Sequence, residues 1–87
     1  MRLEGTLYRG NVVVGRELVG NDDVELGFHR RMTLCLIALC RALAIPLPLW
    51  LPKNTREIAR FRQTLFFAEQ FDETVHFDRL QLRYLED

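Results

Sequence analysis

The chain has 87 residues, 48% of them hydrophobic, and twelve basic residues against twelve acidic for a formal net charge of zero. That length bounds it to one small domain whose core is only just large enough to stand alone, and the apolar content excludes a disordered chain. Serine is absent, which excludes every serine-nucleophile mechanism.

In chain order, residues 2–19 read as a β-hairpin, with Arg9-Gly10-Asn11 as the turn between two β-prone runs. A two-residue Gly10-Asn11 loop predicts Leu7 opposite Val14 and Leu3 opposite Leu18. It gathers apolar side chains on one face, although it sets Glu4 opposite Glu17. An Arg9-Gly10 loop would instead pair Leu7 with Val12 and Leu3 with Arg16. Gly20-Asn21 ends the hairpin, and Asp22 with Glu25 three residues later has the spacing of a capping box. The spacing predicts a helix from about Asp23 to Ala44. Its stripe comprises Val24, Phe28, Met32, Cys35, Leu36, Leu39 and Leu43. Leu34 and Ile37 widen the apolar surface beyond that stripe, so the helix needs cover from more than one side.

Pro46 to Pro52 is extended, with Leu47, Leu49 and Leu51 alternating with Pro46, Pro48 and Trp50. Its prolines remove ladder donors, which leaves an edge strand or an irregular linker. Asn54 and Glu57 repeat the cap spacing and predict a second helix over residues 55–70, with Ile58, Phe61, Leu65 and Ala68 facing inward. Asp72-Glu73-Thr74 is a turn. A final strand is expected over Leu80–Leu85, after a bend near Asp78-Arg79. The order β-β-α-(β)-α-β predicts an α+β two-layer sandwich, with two helices on one face of a three- or four-stranded sheet.

Met32 to Pro52 carries a single charge, Arg41, but a helix there breaks near Pro46, too soon to span a bilayer. No secretory signal follows Arg2, since charges and glycines interrupt residues 3–28. Cys35 and Cys40 point about 140° apart on the first helix and read as small core residues in a reducing compartment. These features together predict a cytoplasmic protein.

The sequence carries no strong catalytic or cofactor motif. The glycines form no phosphate-cradling pattern. His29, His76 and the two cysteines lack the spacing of a metal site, so no metal or cofactor is expected. His29 is about three turns from Cys40, too far for a nucleophile–base pair. No enzymatic activity is predicted.

Charge is segregated along the chain. Residues 29–62 carry a net +6, residues 1–28 a net −2 and residues 63–87 a net −4. Lys53, Arg56 and Arg60 fall on one side of the second helix, with Trp50 close by. This group is the candidate for contacts with an anion or a nucleic acid, the alternative function. The leading expectation is a protein-interaction or self-associating domain, a homodimer. Leu34 and Ile37 of the first helix and Phe67 at the aromatic end of the second are its candidate interface residues.

Pro48-Leu49-Trp50-Leu51-Pro52-Lys53-Asn54-Thr55-Arg56-Glu57, followed by Phe61, Phe66-Phe67 and Phe77-Asp78-Arg79-Leu80, resembles short uncharacterised bacterial proteins of about this length. The resemblance implies a stand-alone cytosolic protein and transfers no site residue.

Overall fold

The structure, a computed structural model that describes residues 1–86, is an α+β sandwich of one antiparallel sheet and two helices. Its elements are β1 (Arg2–Arg9), β2 (Val12–Gly20), α1 (Phe28–Ala42), α2 (Pro52–Phe61), β3 (Gln63–Phe67) and β4 (Arg79–Glu86), with a single 3₁₀ turn at Ala68–Gln70. The strands lie in the order β2-β1-β4-β3. Leu3 and Leu7 of β1, Leu80 and Leu82 of β4, and Phe66 of β3 are buried on one face and meet Met32, Cys35 and Leu39 of α1 and Ile58 of α2. Among the described residues, no helix is long and apolar enough to cross a membrane.

The hairpin turns at Gly10-Asn11 as expected, with Arg9 opposite Val12. Gly10 takes φ +59° at the first loop position, where two-residue loops of this kind need glycine. The register beyond it differs from the expected one. Tyr8 faces Val13 and Leu7 faces Gly15, so Val14 is an extra residue in β2. This β-bulge moves Leu18 opposite Glu4, brings Val19 opposite Leu3 and sets Glu17 opposite Gly5. The two glutamates no longer confront each other. Glu4 instead pairs with Arg83 of β4, Oε1 to Nη1 3.3 Å.

α1 begins at Phe28 rather than Asp23. Asn21 and Asp23 use their side chains in successive Asx turns, Oδ1 of Asn21 accepting from Asp23 N–H at 2.9 Å and Oδ1 of Asp23 from Glu25 N–H at 3.0 Å. These local bonds compete with the helix. Asp22 caps nothing; it accepts from the N-terminal ammonium at 2.9 Å, which holds its carboxyl below the usual carboxylate range. Val24, expected on the buried stripe, is 91% exposed. At its other end α1 stops where Ala44 turns left-handed, φ +56°, and Ile45 N–H reaches back 2.9 Å to the Cys40 carbonyl.

The largest correction concerns residues 52–70. The second helix starts earlier, with Leu51 as N-cap and Pro52 in its first turn, and stops at Phe61. Arg62 then takes φ +57° and the chain continues as β3, paired with β4 from Gln63–Arg83 to Phe67–Arg79. The helical spacing of Phe61, Leu65 and Ala68 competes with the strand alternation of Thr64 and Phe66, and the alternation prevails because those two side chains reach the core. Pro46–Pro52 belongs to no strand. Pro46–Leu51 is an irregular linker, tied by a 2.6 Å hydrogen bond from Leu49 N–H to the Gln70 carbonyl, and Pro52 opens α2.

Asn54, fully buried, joins these short pieces. Its Nδ2 donates to Thr64 Oγ1 at 2.7 Å and to the Leu65 carbonyl at 3.2 Å. Its Oδ1 accepts from Leu51 N–H at 2.9 Å and from Gln70 Nε2 at 3.2 Å. The Thr64 hydroxyl in turn donates to Glu57 Oε1 at 2.5 Å. Truncating one member of a saturated buried network strands the others without water. Asn54→Ala is therefore expected to lower unfolding stability by about 2–4 kcal/mol in urea titrations, whereas Arg56→Ala on the exposed side of the same helix changes it by less than about 0.5 kcal/mol.

Candidate functional site

α1 packs over β1 and β2, and α2 over β3, but the two helices do not pack along one another. Between them runs a groove of about 700 Å³. Phe28, Met32, Leu36 and Ile37 of α1 form one wall; Thr55, Ile58 and Ala59 of α2 form the other. Leu47 and Pro48 of the linker and Tyr84 of β4 complete it. The Phe28 ring meets Tyr84 edge-on at 5.5 Å, and the Arg62 guanidinium lies over the Tyr84 ring, 5.6 Å from its centroid. The groove is thus aromatic and cationic at the Tyr84 end and aliphatic beyond it.

Trp50 lines the groove half-buried. Its ring leans on Phe66, centroids 5.5 Å apart, and its Nε1 donates to Thr55 Oγ1 at 2.8 Å. These two contacts orient the indole as part of the groove wall.

The helices framing the groove are strongly basic. α1 contains no carboxylate, and the single carboxylate of α2, Glu57, accepts the hydroxyl of Thr64 on the sheet. Arg30, Ile37 and Arg41 fall within about 40° of one another around α1. The two arginines therefore flank the groove in line with Ile37, which lines it. Arg56 is one turn from Ala59 on the other wall. Among the described residues none of Arg30, Arg41, Arg56, Arg60 or Arg62 is ion-paired, and all are exposed.

The candidate residues read from the sequence are dispersed. Ile37 and Trp50 line the groove, while Leu34, about 60° from Ile37 around α1 and beside the flanking Arg41, is exposed just outside the lining. Phe67 lies on β3 beside Lys53, whose Nζ sits over its ring at 4.9 Å and donates to the Leu65 carbonyl at 3.3 Å. Lys53 is thereby drawn toward β3, away from Arg56. Arg60 lies over the Phe61 ring at 5.7 Å. The groove adds Phe28, Leu47, Tyr84 and Arg62, which sequence spacing did not mark as site residues. The available signal was the exposed end of the first stripe at Phe28; Tyr84 and Arg62 become neighbours only through the β3–β4 pairing, where Tyr84 N–H donates to the Arg62 carbonyl at 2.8 Å.

His29 lines the groove with no carboxylate among the other lining residues. Among the described residues no group of three or more His, Cys, Asp or Glu is placed to hold a metal ion. Burial pushes the Cys35 thiol up and the Cys40 thiol from 9.0 up to about 11. Thiols held in the protonated form are poor nucleophiles. Both cysteines are expected to react with Ellman's reagent at pH 8 only as fast as the chain unfolds, and at once in denaturant. The unfolded Cys40 loses its proton near 9 and the folded one near 11, so stability falls as pH rises through that window; urea titrations at pH 8 and pH 10.5 check the sign. No protein-family model matches the chain, and neither does any curated protein or solved structure.

Proposed function

We propose that this chain is a small protein-association domain without catalysis, and that the groove between α1 and α2 receives apolar side chains offered from an acidic polypeptide surface. The observation that carries the reading is the pair of unpacked helices, which leave an apolar groove of about 700 Å³ between arginine-bearing flanks. Apolar walls supply affinity by burial, and unpaired cations at the flanks select carboxylates and raise the encounter rate. Polypeptides docked in such grooves anchor through a few side chains at the centre, with charges at the rim. Two free, buried cysteines support a cytoplasmic setting.

Binding of an anion or a nucleic acid by Lys53, Arg56, Arg60 and Trp50 has less support. Lys53 is occupied by Leu65 and Phe67, and Trp50 is a hydrogen-bonded wall rather than a free stacking platform.

Trp50 is the only tryptophan and reports occupancy directly. A synthetic amphipathic peptide with leucines flanked by glutamates is expected to shift its emission on titration. The same peptide with lysines for glutamates is expected to leave it unchanged. Ile37→Asp should weaken the acidic peptide at least about tenfold, and added salt should weaken it further. Failure of the acidic peptide to bind overturns the reading. So does salt-sensitive binding of nucleic acid in its place, lost on Arg56→Ala with Arg60→Ala.

A further inference from the structure

We propose that the acidic surface the groove receives belongs to a second copy of this chain, and is the loop between β2 and α1, residues 21–27; this rests on the association reading above. Two observations meet here. The groove is an apolar hole with arginines at its flanks. The loop is an apolar knob with carboxylates around it: Val24, flanked by Asp22, Asp23 and Glu25, is 91% exposed, the most exposed large apolar side chain among the described residues.

The knob is held in place. Asn21 N–H donates to the Met1 carbonyl at 2.9 Å, Asp23 N–H to Asn21 Oδ1 at 2.9 Å, Glu25 N–H to Asp23 Oδ1 at 3.0 Å and Leu26 N–H to the Asp23 carbonyl at 3.2 Å. A loop already ordered in the free chain loses little entropy when it docks. Asp22 is held by the N-terminal ammonium, which leaves the exposed Asp23 and Glu25 as the carboxylates offered to a partner; the chain has zero net charge, so two copies approach without net repulsion.

The position of the loop also selects the symmetry. It runs directly into Phe28, whose side chain lines the groove. Knob and hole thus adjoin on one surface. That is the arrangement in which a two-fold axis lets each copy place its loop in the other's groove and closes the assembly at two.

The test is a charge swap read by light scattering coupled to size exclusion, from about 10 μM to about 1 mM chain. One variant makes the loop basic, Asp23→Asn with Glu25→Arg; asparagine keeps the Asx acceptor. The other makes the flank acidic, Arg30→Glu with Arg41→Glu. All four positions are exposed, and circular dichroism and urea titration confirm that each variant folds. The native chain is expected to form a dimer that dissociates more readily between about 50 mM and about 500 mM salt. Each variant alone, and Val24→Asp, should weaken the dimer at least about tenfold. An equimolar mixture of the two charge variants should restore it, since both contacts in the mixed pair are again complementary. A native chain that stays monomeric at the highest concentration overturns the proposal, as does a dimer that none of these variants weakens, or an open series of larger oligomers. If a monomeric chain still binds the acidic peptide at Trp50, self-pairing alone falls; if it does not, the association reading falls with it.

Discussion

The carboxamide of Asn54 is the interaction on which this arrangement depends. A primary amide has two donor hydrogens and two acceptor lone pairs, and all four are used here by protein partners. The pieces it joins are short: a ten-residue helix, a five-residue strand and a single 3₁₀ turn. None is long enough to hold its shape alone. Bound through one buried group, the linker, α2, β3 and the 3₁₀ turn become a rigid unit. That unit carries Thr55, Ile58, Ala59 and Trp50, one whole wall of the groove, without help from α1.

The opposite wall is positioned by a different device. Gly5 lies at the centre of β1 beneath α1, where a Cβ would come within 2.6 Å of Leu39 Cδ2. Its absence lets Leu39 settle onto the strand with no exposed surface and seats α1 over β1 and β2. The sheet order places β4 between β1 and β3. With α1 drawn to one side and α2 tied to the other, Tyr84 of β4 is left between them as part of the groove. The gap between the helices therefore follows from two strong local constraints, one steric and one polar.

These constraints explain what could be read in advance. The Gly10-Asn11 loop, the buried stripe of α1 from Met32 to Leu39 and the last strand follow from local periodicity and turn chemistry, and the two-layer class follows from them. The bulge at Val14 was not legible, because it exists only in the cross-strand register, where it separates Glu4 from Glu17. The start of α1 was masked by Asx turns, which use the same residue types as helix caps. Residues 63–67 satisfy both a helical and a strand pattern, and only the neighbouring β4 selects between them. The groove was the least legible feature. Ile37 and Trp50 were singled out for their own character, but a groove is a missing contact between elements distant in sequence, and no local pattern encodes it.

Three short side chains make the open groove more than a packing accident. Thr33 of α1 and Thr55 and Ala59 of α2 all line it. Elsewhere the same chain packs closely, with Leu3, Leu39, Phe66, Leu80 and Leu82 leaving no exposed surface. A chain selected for folding alone gains stability by placing larger apolar side chains at such positions, since each buried methylene contributes about 0.8 kcal/mol. Leaving them short keeps apolar surface in water on Phe28, Ile37 and Leu47, a cost to the isolated chain. Val24 adds a second cost of the same kind on the neighbouring loop. Both are removed in one step when an apolar surface bearing carboxylates covers the groove, and the arginines beside it provide the complementary charge. Under the proposed association, the features that weaken the isolated chain are the ones a partner covers.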